Sequence, residues 1–302
     1  MGDINVKFRG VRGSFPVAKN DFMNYGGNTS CVEINAGGHL IILDAGTGIV
    51  GVGDELMTNY ISSAIKPEDR KPIKANIFVS HIHQDHLLGL TFFKPLHVKS
   101  SQIRIFGSVE SNSSLKSDLS QLVFGKTFPI DLGDIACNFE INDIPNIGRV
   151  VLSKDGQPKL NAEIGKDDVV VSFYKSYVHP QSGVMVYRVS YHGKSVVYAT
   201  DKECYVGGDK KFVQFARGCD LLIHDAQYTT EDYLNPYSSK QGFGHSTFDM
   251  AIETFKQTNA GQLAFFHYEP SYNDEKLDKI QEYYAANFKN VFMSNEGLEL
   301  NI

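Results

Sequence analysis

The stretch His81-Ile82-His83-Gln84-Asp85-His86 decides how this sequence is interpreted, because four of its six side chains can bind a metal ion. It directly follows the apolar run Ile77-Phe78-Val79, which is typical of a buried strand. Imidazole nitrogens and carboxylate oxygens suit zinc and the neighbouring transition metals. Because a strand that ends in a loop directs such side chains into one cleft, the hexapeptide predicts a metal site.

The composition of the chain limits the kinds of partner that it can have. With 302 residues, of which 42% are hydrophobic and 21% charged, the chain is long enough to bury a large core. The formal net charge is −6, and no long run of Lys or Arg occurs. Binding a long polyanion usually requires a clustered cationic surface, so a long nucleic-acid partner is disfavoured.

The sequence also lacks a membrane-spanning segment and paired cysteines. No stretch approaches the ~18 continuous apolar residues of a membrane-spanning helix, and the first residues lack the order of a signal peptide. We therefore expect a cytoplasmic protein without membrane contact. The cysteines Cys31, Cys137, Cys204 and Cys219 include no Cys-x-x-Cys pair, which predicts buried free thiols.

Several short apolar runs stop abruptly at a polar side chain. The residues at which they stop are Asp44, His81, Asp201, Asp225 and His267. Continuous apolar runs fit strands that are buried on both faces and therefore need helices on either side. Helix-compatible stretches lie between them, at 51–65, 84–94, 110–122, 246–257 and 274–287. The pattern predicts an α/β fold, a four-layer αββα sandwich of two mixed β-sheets flanked by helices.

Residues 142–168 differ from the rest, because Pro145, Gly148 and Pro158 interrupt short apolar pieces. Asp155-Gly156 between strand-like pieces favours a tight hairpin turn. We predict that residues 1–302 form a single domain with a β-hairpin arm inserted at about 142–168. The arm could be a lid, a dimer contact or a plain surface hairpin.

The hexapeptide alone would leave a metal ion with too few ligands, so further ligands are required downstream. His179 follows the apolar run 169–178, Asp201 follows Ala199-Thr200, and His267 follows the run 263–266. Each of the three could have a structural role if taken singly. Their shared position after apparently buried strands favours a common site.

These residues together resemble a known family. The hexapeptide matches the His-x-His-x-Asp-His motif of the metallo-β-lactamase superfamily, and the downstream ligand candidates follow in the family's order. More narrowly, the chain resembles the phosphodiesterase branch that contains tRNase Z, since His245-Ser246-Thr247 matches its His-Ser-Thr motif and 224–227 stands where it has His-Glu-Ala-Thr. Segments 9–14, 25–31 and 44–48 look closer to small-molecule phosphodiesterases, including the anti-Pycsar enzymes that open cyclic nucleotides.

The resemblance implies a dinuclear metal centre. The first metal would be held by His81, His83 and His179, the second by Asp85, His86 and His267, and Asp201 would bridge them. Seven nitrogen and oxygen ligands divided in this way leave each ion room for water and substrate. Zinc is the expected metal, although such ligands also admit manganese, iron or nickel. A hydroxide between the two metals is the expected nucleophile.

The same resemblance implies the catalytic residues His245, Asp225 and Asp85. A departing alkoxide needs a proton, and the unperturbed pKa of histidine makes His245 suitable as a general acid. Asp225 would orient its imidazole and keep it protonated.

We therefore expect an enzyme, a metal-dependent hydrolase that cleaves a small phosphodiester, with a cyclic nucleotide preferred. A homodimer is compatible with the family. The nearest alternative is a tRNA 3′-processing endonuclease, but Tyr268-Glu269-Pro270 stands where that family has an Arg-bearing segment, and no long basic arm is visible. A thioesterase or lactonase of the same fold is a second alternative.

Overall fold

Two mixed β-sheets form the centre of the molecule in a computed structural model, which describes residues 3–108, 113–126, 128–154, 156–181, 183–205 and 207–302. The strands of the first sheet are β1 (Ile4–Gly10), β2 (Cys31–Ala36), β3 (His39–Leu43), β4 (Lys74–Val79), β5 (Gln102–Gly107), β6 (Asn138–Asp143) and β15 (Glu299–Asn301). Their order is β15-β1-β2-β3-β4-β5-β6, and β3 to β6 run parallel.

The second sheet contains eight strands. They are β7 (Ile147–Leu152), β8 (Lys159–Leu160), β9 (Val169–Ser176), β10 (Val184–Tyr191), β11 (Lys194–Ala199), β12 (Leu221–Asp225), β13 (Gln262–Phe266) and β14 (Val291–Met293). Their order is β14-β13-β12-β11-β10-β9-β7-β8, and β11 to β14 run parallel. β9 points in the same direction as β11, because both pair antiparallel with β10.

Helices flank the two sheets. The α-helices are α1 (Ile49–Ser62), α2 (Leu115–Leu122), α3 (Lys210–Ala216), α4 (Thr230–Tyr233), α5 (Phe248–Thr258) and α6 (Asp274–Asn287). Short 3-10 helices span Asn20–Phe22, Pro67–Asp69, Gln84–His86, Leu90–Phe92, Lys94–His97 and Leu132–Asp134. The arrangement confirms the predicted α/β fold with two sheets between helices.

Burial on both faces of the central strands explains their continuous apolar runs. In β3, Ile41 and Leu43 belong to the core between the sheets, whereas Ile42 packs on the opposite face with Ile49 and Val52 of α1. All five side chains are essentially inaccessible to water. Burying an aliphatic side chain contributes about 1.5–3 kcal/mol, so both faces of the strand stabilise the layered fold.

The parallel strands bring their polar end residues to one edge of the sandwich. Five strands end at or just before such a residue: β3 at Asp44, β4 at His81, β11 at Asp201, β12 at Asp225 and β13 at His267. β9 leads into His179 at the same edge of its sheet. Ligands commonly bind at the carboxyl ends of such strands.

One predicted helix differs from the structure. Residues 84–94 form only two separate 3-10 turns, because their backbone bonds to the segment after β3. The amide of Ala45 donates to the carbonyl of His86, and the amide of Gly89 donates to the carbonyl of Ala45. These bonds take up groups that an α-helix would use for its own i to i−4 bonds, although the amide of Leu88 still donates to the carbonyl of Gln84. The predicted helix at 110–122 begins at Leu115 in α2, and the residues 109–112 lie outside the described part.

The segment 142–168 carries the chain from the first sheet to the second. β6 ends at Asp143, and β7 then pairs antiparallel with both β9 and β8. Asp155 of the predicted tight turn lies outside the described residues. The single domain with an inserted arm stays a prediction.

Candidate active site

Three ring nitrogens converge at the edge of the sandwich where the strands end, a region called the cleft below. Nδ1 of His83 lies 2.9 Å from Nε2 of His81 and 3.1 Å from Nε2 of His179. Oδ2 of Asp201 lies 3.6 Å and 3.7 Å from the same two Nε2 atoms. Two ligands of one tetrahedral zinc at ordinary bond lengths are ~3.3 Å apart, so these four atoms are spaced as a metal site requires.

A second group of atoms converges beside the first. Nε2 of His86 and Nε2 of His267 each lie 3.2 Å from Oδ2 of Asp85 and 3.1 Å from Oδ1 of Asp201. The two carboxylate oxygens of Asp201 therefore face different groups. This is the geometry expected of a ligand shared between two cations.

Hydrogen bonds behind the rings fix which nitrogen faces the cleft. Nδ1 of His86 lies 2.7 Å from Oδ2 of Asp44, and the hydroxyl of Ser80 donates to the same oxygen at 2.8 Å. The Ser80 oxygen in turn lies 3.0 Å from Nδ1 of His81, and Nδ1 of His179 lies 3.2 Å from the carbonyl of Gly244. Because the outer Nδ1 atoms donate, each Nε2 keeps a lone pair directed into the cleft.

The protonation states of His81, His83, His179 and Asp201 suit metal binding. Burial alone would lower the pKa of His86, but the carboxylates around it raise that pKa well above the ordinary value. Burial lowers the pKa of His81 and His83, and it lowers the pKa of His179 to about 4. Burial alone would raise the pKa of Asp201, but the neighbouring His267, His86 and His81 lower it well below the ordinary value. Neutral imidazole and ionised carboxylate are the forms that bind metals.

The buried charge of the cluster calls for cations. Asp44, Asp85, Asp201 and Asp225 are all buried, and within the described parts of the chain every ion-pair partner of these four carboxylates is a histidine. Nε2 of His86 is buried and makes no hydrogen bond with any described residue. Uncompensated buried charges are very costly, so this donor set fits two divalent cations.

His245 and Asp225 form a buried pair at the edge of the cluster. Nδ1 of His245 lies 2.8 Å from Oδ2 of Asp225 and 3.9 Å from Oδ2 of Asp201. Burial alone would lower the pKa of His245, but Asp225, with smaller contributions from Asp201 and Asp85, raises it to about 9. The structure thus brings together all nine predicted site residues.

Three residues at strand ends have a left-handed backbone. The φ angles are +62° for Asp44, +49° for Asp201 and +69° for His267. Residues other than glycine rarely adopt this conformation, and when they do, they are often found at functional sites. Here the conformation turns the chain sharply at the end of each strand, so that the side chain enters the cluster.

A buried carboxylate holds the turn that carries His245. Glu203 accepts hydrogen bonds from the hydroxyl of Tyr233 at 2.5 Å, the amide of Gly242 at 2.8 Å and the amide of Gly244 at 3.0 Å. Gly244 has a φ of +90°, and a Cβ atom there would collide with the ring of His179. The turn therefore positions His245 and, through the carbonyl of Gly244, also His179.

Sequence reasoning missed two of these supporting residues. Ser80 was not singled out, although its position between a buried strand and His81 could have indicated it. Glu203 follows β11 in irregular chain and carries no motif, so no local signal marks it. His224, which precedes Asp225, contacts the sulfur of Cys204 at 3.5 Å and the carbonyl of Asp225 at 2.7 Å.

Known proteins are similar to this chain in sequence or in fold. The family described as "Beta-lactamase superfamily domain" matches residues 39–268. A ribonuclease Z from Picrophilus torridus is 27% identical over 262 residues, covering 75% of this chain and 78% of that protein, and one from Pyrococcus furiosus is 24% identical with 97% of each covered. The metallo-beta-lactamase fold protein YhfI from Bacillus subtilis superposes with a TM-score of 0.63 at 18% identity, covering 99% of both chains.

Because the family match spans most of the chain, the protein belongs to the metallo-β-lactamase superfamily. It is a metal-dependent hydrolase of that superfamily, with tRNase Z among its relatives. Among the described residues, no helix combines the length and apolar character needed to cross a bilayer.

Proposed function

We propose that the protein hydrolyses phosphodiesters with two divalent cations, and that its substrate is a small phosphodiester. One cation would be held by His81, His83 and His179. The other would be held by Asp85, His86 and His267, and Asp201 would bind both. When bound, the cations supply positive charge for a phosphodiester anion and lower the pKa of water, which makes a hydroxide nucleophile available. Zinc is the proposed metal.

The observation that carries this proposal is the pairing of His245 with Asp225 beside Asp201. His245 keeps its proton near neutral pH, since its pKa is raised to about 9. Its ring lies beside the cluster, and because Nδ1 faces Asp225, the proton on Nε2 would be given to the leaving oxygen of a substrate bound there. Asp225 is a positioning residue, because its other oxygen accepts the amide of Ser246 at 2.8 Å and so fixes the carboxylate.

A tRNA 3′-processing endonuclease is the second candidate, and the relatives named ribonuclease Z favour it. Against it stands the net charge of −6, which gives little attraction for a long polyanion. After metal analysis, the purified protein should be assayed with cyclic nucleotides, bis(p-nitrophenyl) phosphate, acyl esters and unprocessed tRNA. Cleavage of the small diesters supports the proposal, cleavage of tRNA alone supports the second candidate, and cleavage of acyl esters alone contradicts both.

Replacing Asp225 should move the alkaline limb of the pH profile. The acid form of His245 is required, so this requirement is met below its pKa and activity falls as the pH rises through it. Asp225→Asn removes the main source of the raised pKa while burial still favours neutral imidazole. We expect the alkaline limb of kcat to move down by about 1–2 pH units, as measured in a series of buffers of constant ionic strength.

The matched control for this variant is Asp220→Asn. Asp220 immediately precedes β12, at the opposite end from Asp225, and accepts bonds from Lys194 and from the amide of Ser195. Its replacement should leave the alkaline limb in place. An unchanged limb in Asp225→Asn with intact metal content would mean that another group donates the proton.

Loss of Glu203 should loosen the turn before His245. Glu203→Ala leaves the amides of Gly242 and Gly244 without their acceptor, at a cost of about 1–3 kcal/mol in the free energy of unfolding. Tyr233→Phe removes only one of the three hydrogen bonds and should cost about 1 kcal/mol. Urea denaturation of both variants measures the difference, and equal stability of Glu203→Ala and wild type would contradict the role of the carboxylate.

A further inference from the structure

An apolar cavity of about 570 Å³ opens beside His83. Its walls include Leu88, Phe92, Leu122 and Phe128, and the first three of these side chains are 47%, 60% and 54% exposed. Single exposed leucines are common on protein surfaces, but large apolar side chains gathered around one concavity mark binding sites. The volume lies in the range of about 300–1,000 Å³ that small-molecule sites have.

The side chains that line the cavity determine which kind of ligand it can bind. No Lys, Arg, Asp or Glu is among the described lining residues, so apart from His83 the walls carry no ionisable group that could pair with a phosphate. The rings of Phe92 and Phe128 meet edge to face with centroids 5.7 Å apart, and they present aromatic surface. The side chains of Gln84, Gln181 and Thr91 add donors and acceptors. Such walls suit an uncharged planar ring with polar edges.

His83 connects the cavity to the histidine and carboxylate cluster. Its Nδ1 faces His81 and His179, while the residue also lines the cavity. Gln181, another lining residue, hydrogen-bonds the side chain of His83. A molecule whose phosphodiester lies at the cluster can therefore extend its remaining part into the cavity.

We propose that this cavity binds a planar heterocycle, such as a nucleobase, on the small phosphodiester that the cluster cleaves. The inference rests on the function proposed above for the cluster. No Lys or Arg is among the described lining residues, so the cavity has no positive side chains to bind along a polyanionic backbone. Its chemistry therefore favours a small nucleotide over a long RNA.

The test compares two esters with the same leaving group, thymidine 5′-(p-nitrophenyl phosphate) and methyl p-nitrophenyl phosphate. The wild-type protein with its metals should prefer the thymidine ester in kcat/KM by about 10-fold, as expected from stacking of one base. Leu122→Gln should abolish most of this preference and weaken the binding of thymidine alone about 10-fold, as followed by calorimetry. Leu160→Gln is the control, since Leu160 is 48% exposed and does not line the cavity.

The outcomes separate the two proposals. If the methyl ester is cleaved but the thymidine ester is no better and thymidine does not bind, the cavity is not a base site and the phosphodiesterase proposal stands. If thymidine binds and Leu122→Gln weakens it while neither ester is cleaved, the base site stands and the phosphodiesterase proposal falls. A change of oligomeric state in Leu122→Gln without a change in thymidine binding would instead assign this face to a second copy of the chain and overturn the inference.

Discussion

His245→Ala should slow the hydrolysis of a cyclic nucleotide by about 100-fold or more while the protein keeps its metals. The alkoxide that leaves such a substrate is a strong base and needs a proton, which His245 is placed to give. The p-nitrophenolate anion leaves without protonation, so the loss with bis(p-nitrophenyl) phosphate should be much smaller. The ratio of the two losses identifies general acid catalysis.

The control for this variant is His192→Ala. His192 also faces an aspartate, with Nε2 3.1 Å from Asp167, but it lies in the turn between β10 and β11 and is partly exposed. Its replacement should change neither the hydrolysis of the cyclic nucleotide nor that of bis(p-nitrophenyl) phosphate. Equal losses with both substrates in His245→Ala would assign the residue to binding or structure, and full activity would exclude it from the mechanism.

Asp201→Ala should abolish tight binding of the metal pair and with it nearly all activity. Asp201 is the only described residue whose carboxylate faces both ligand groups, so its removal would take a ligand from each of the two proposed cations. Loss of a residue that merely supports a metal ligand costs about 10–100-fold in affinity, and loss of a shared ligand should cost more than 100-fold. Metal content after dialysis and kcat/KM measure the two effects.

Asp220→Ala serves as the comparison here, since it removes a carboxylate from the far end of the same sheet. Circular dichroism would verify that both variants are folded. An Asp201→Ala protein that retains two metals per chain after dialysis would contradict the shared position of this carboxylate.

The sequence predicted the fold and the composition of the cluster because both depend on local patterns. A continuous apolar run such as 41–43 indicates burial on both faces, and a polar residue at its end indicates the edge of the sheet. The hexapeptide at 81–86 carried the family resemblance, which supplied the order of the remaining ligands. These signals do not depend on the details of packing.

Features that depend on contacts between distant segments were not predictable in the same way. The stretch 84–94 has a helical pattern, yet its backbone bonds to Ala45, which no periodicity reveals. Glu203 acts through three hydrogen bonds to residues 30 to 41 positions later. The cavity beside His83 likewise gathers residues from several separate segments.

The left-handed backbone at Asp44, Asp201 and His267 lowers the free energy of unfolding of this enzyme. Each such residue costs about 1–3 kcal/mol relative to a relaxed conformation, and glycine would relieve that cost. A laboratory evolution experiment that rewards only resistance to heating should therefore enrich glycine at Asp201 and His267 and produce stable but inactive proteins. Asp44 should be kept, because the buried hydroxyls of Ser80 and Tyr198 donate to its carboxylate. The natural sequence would then have kept its strained residues because activity was selected at the expense of thermal stability.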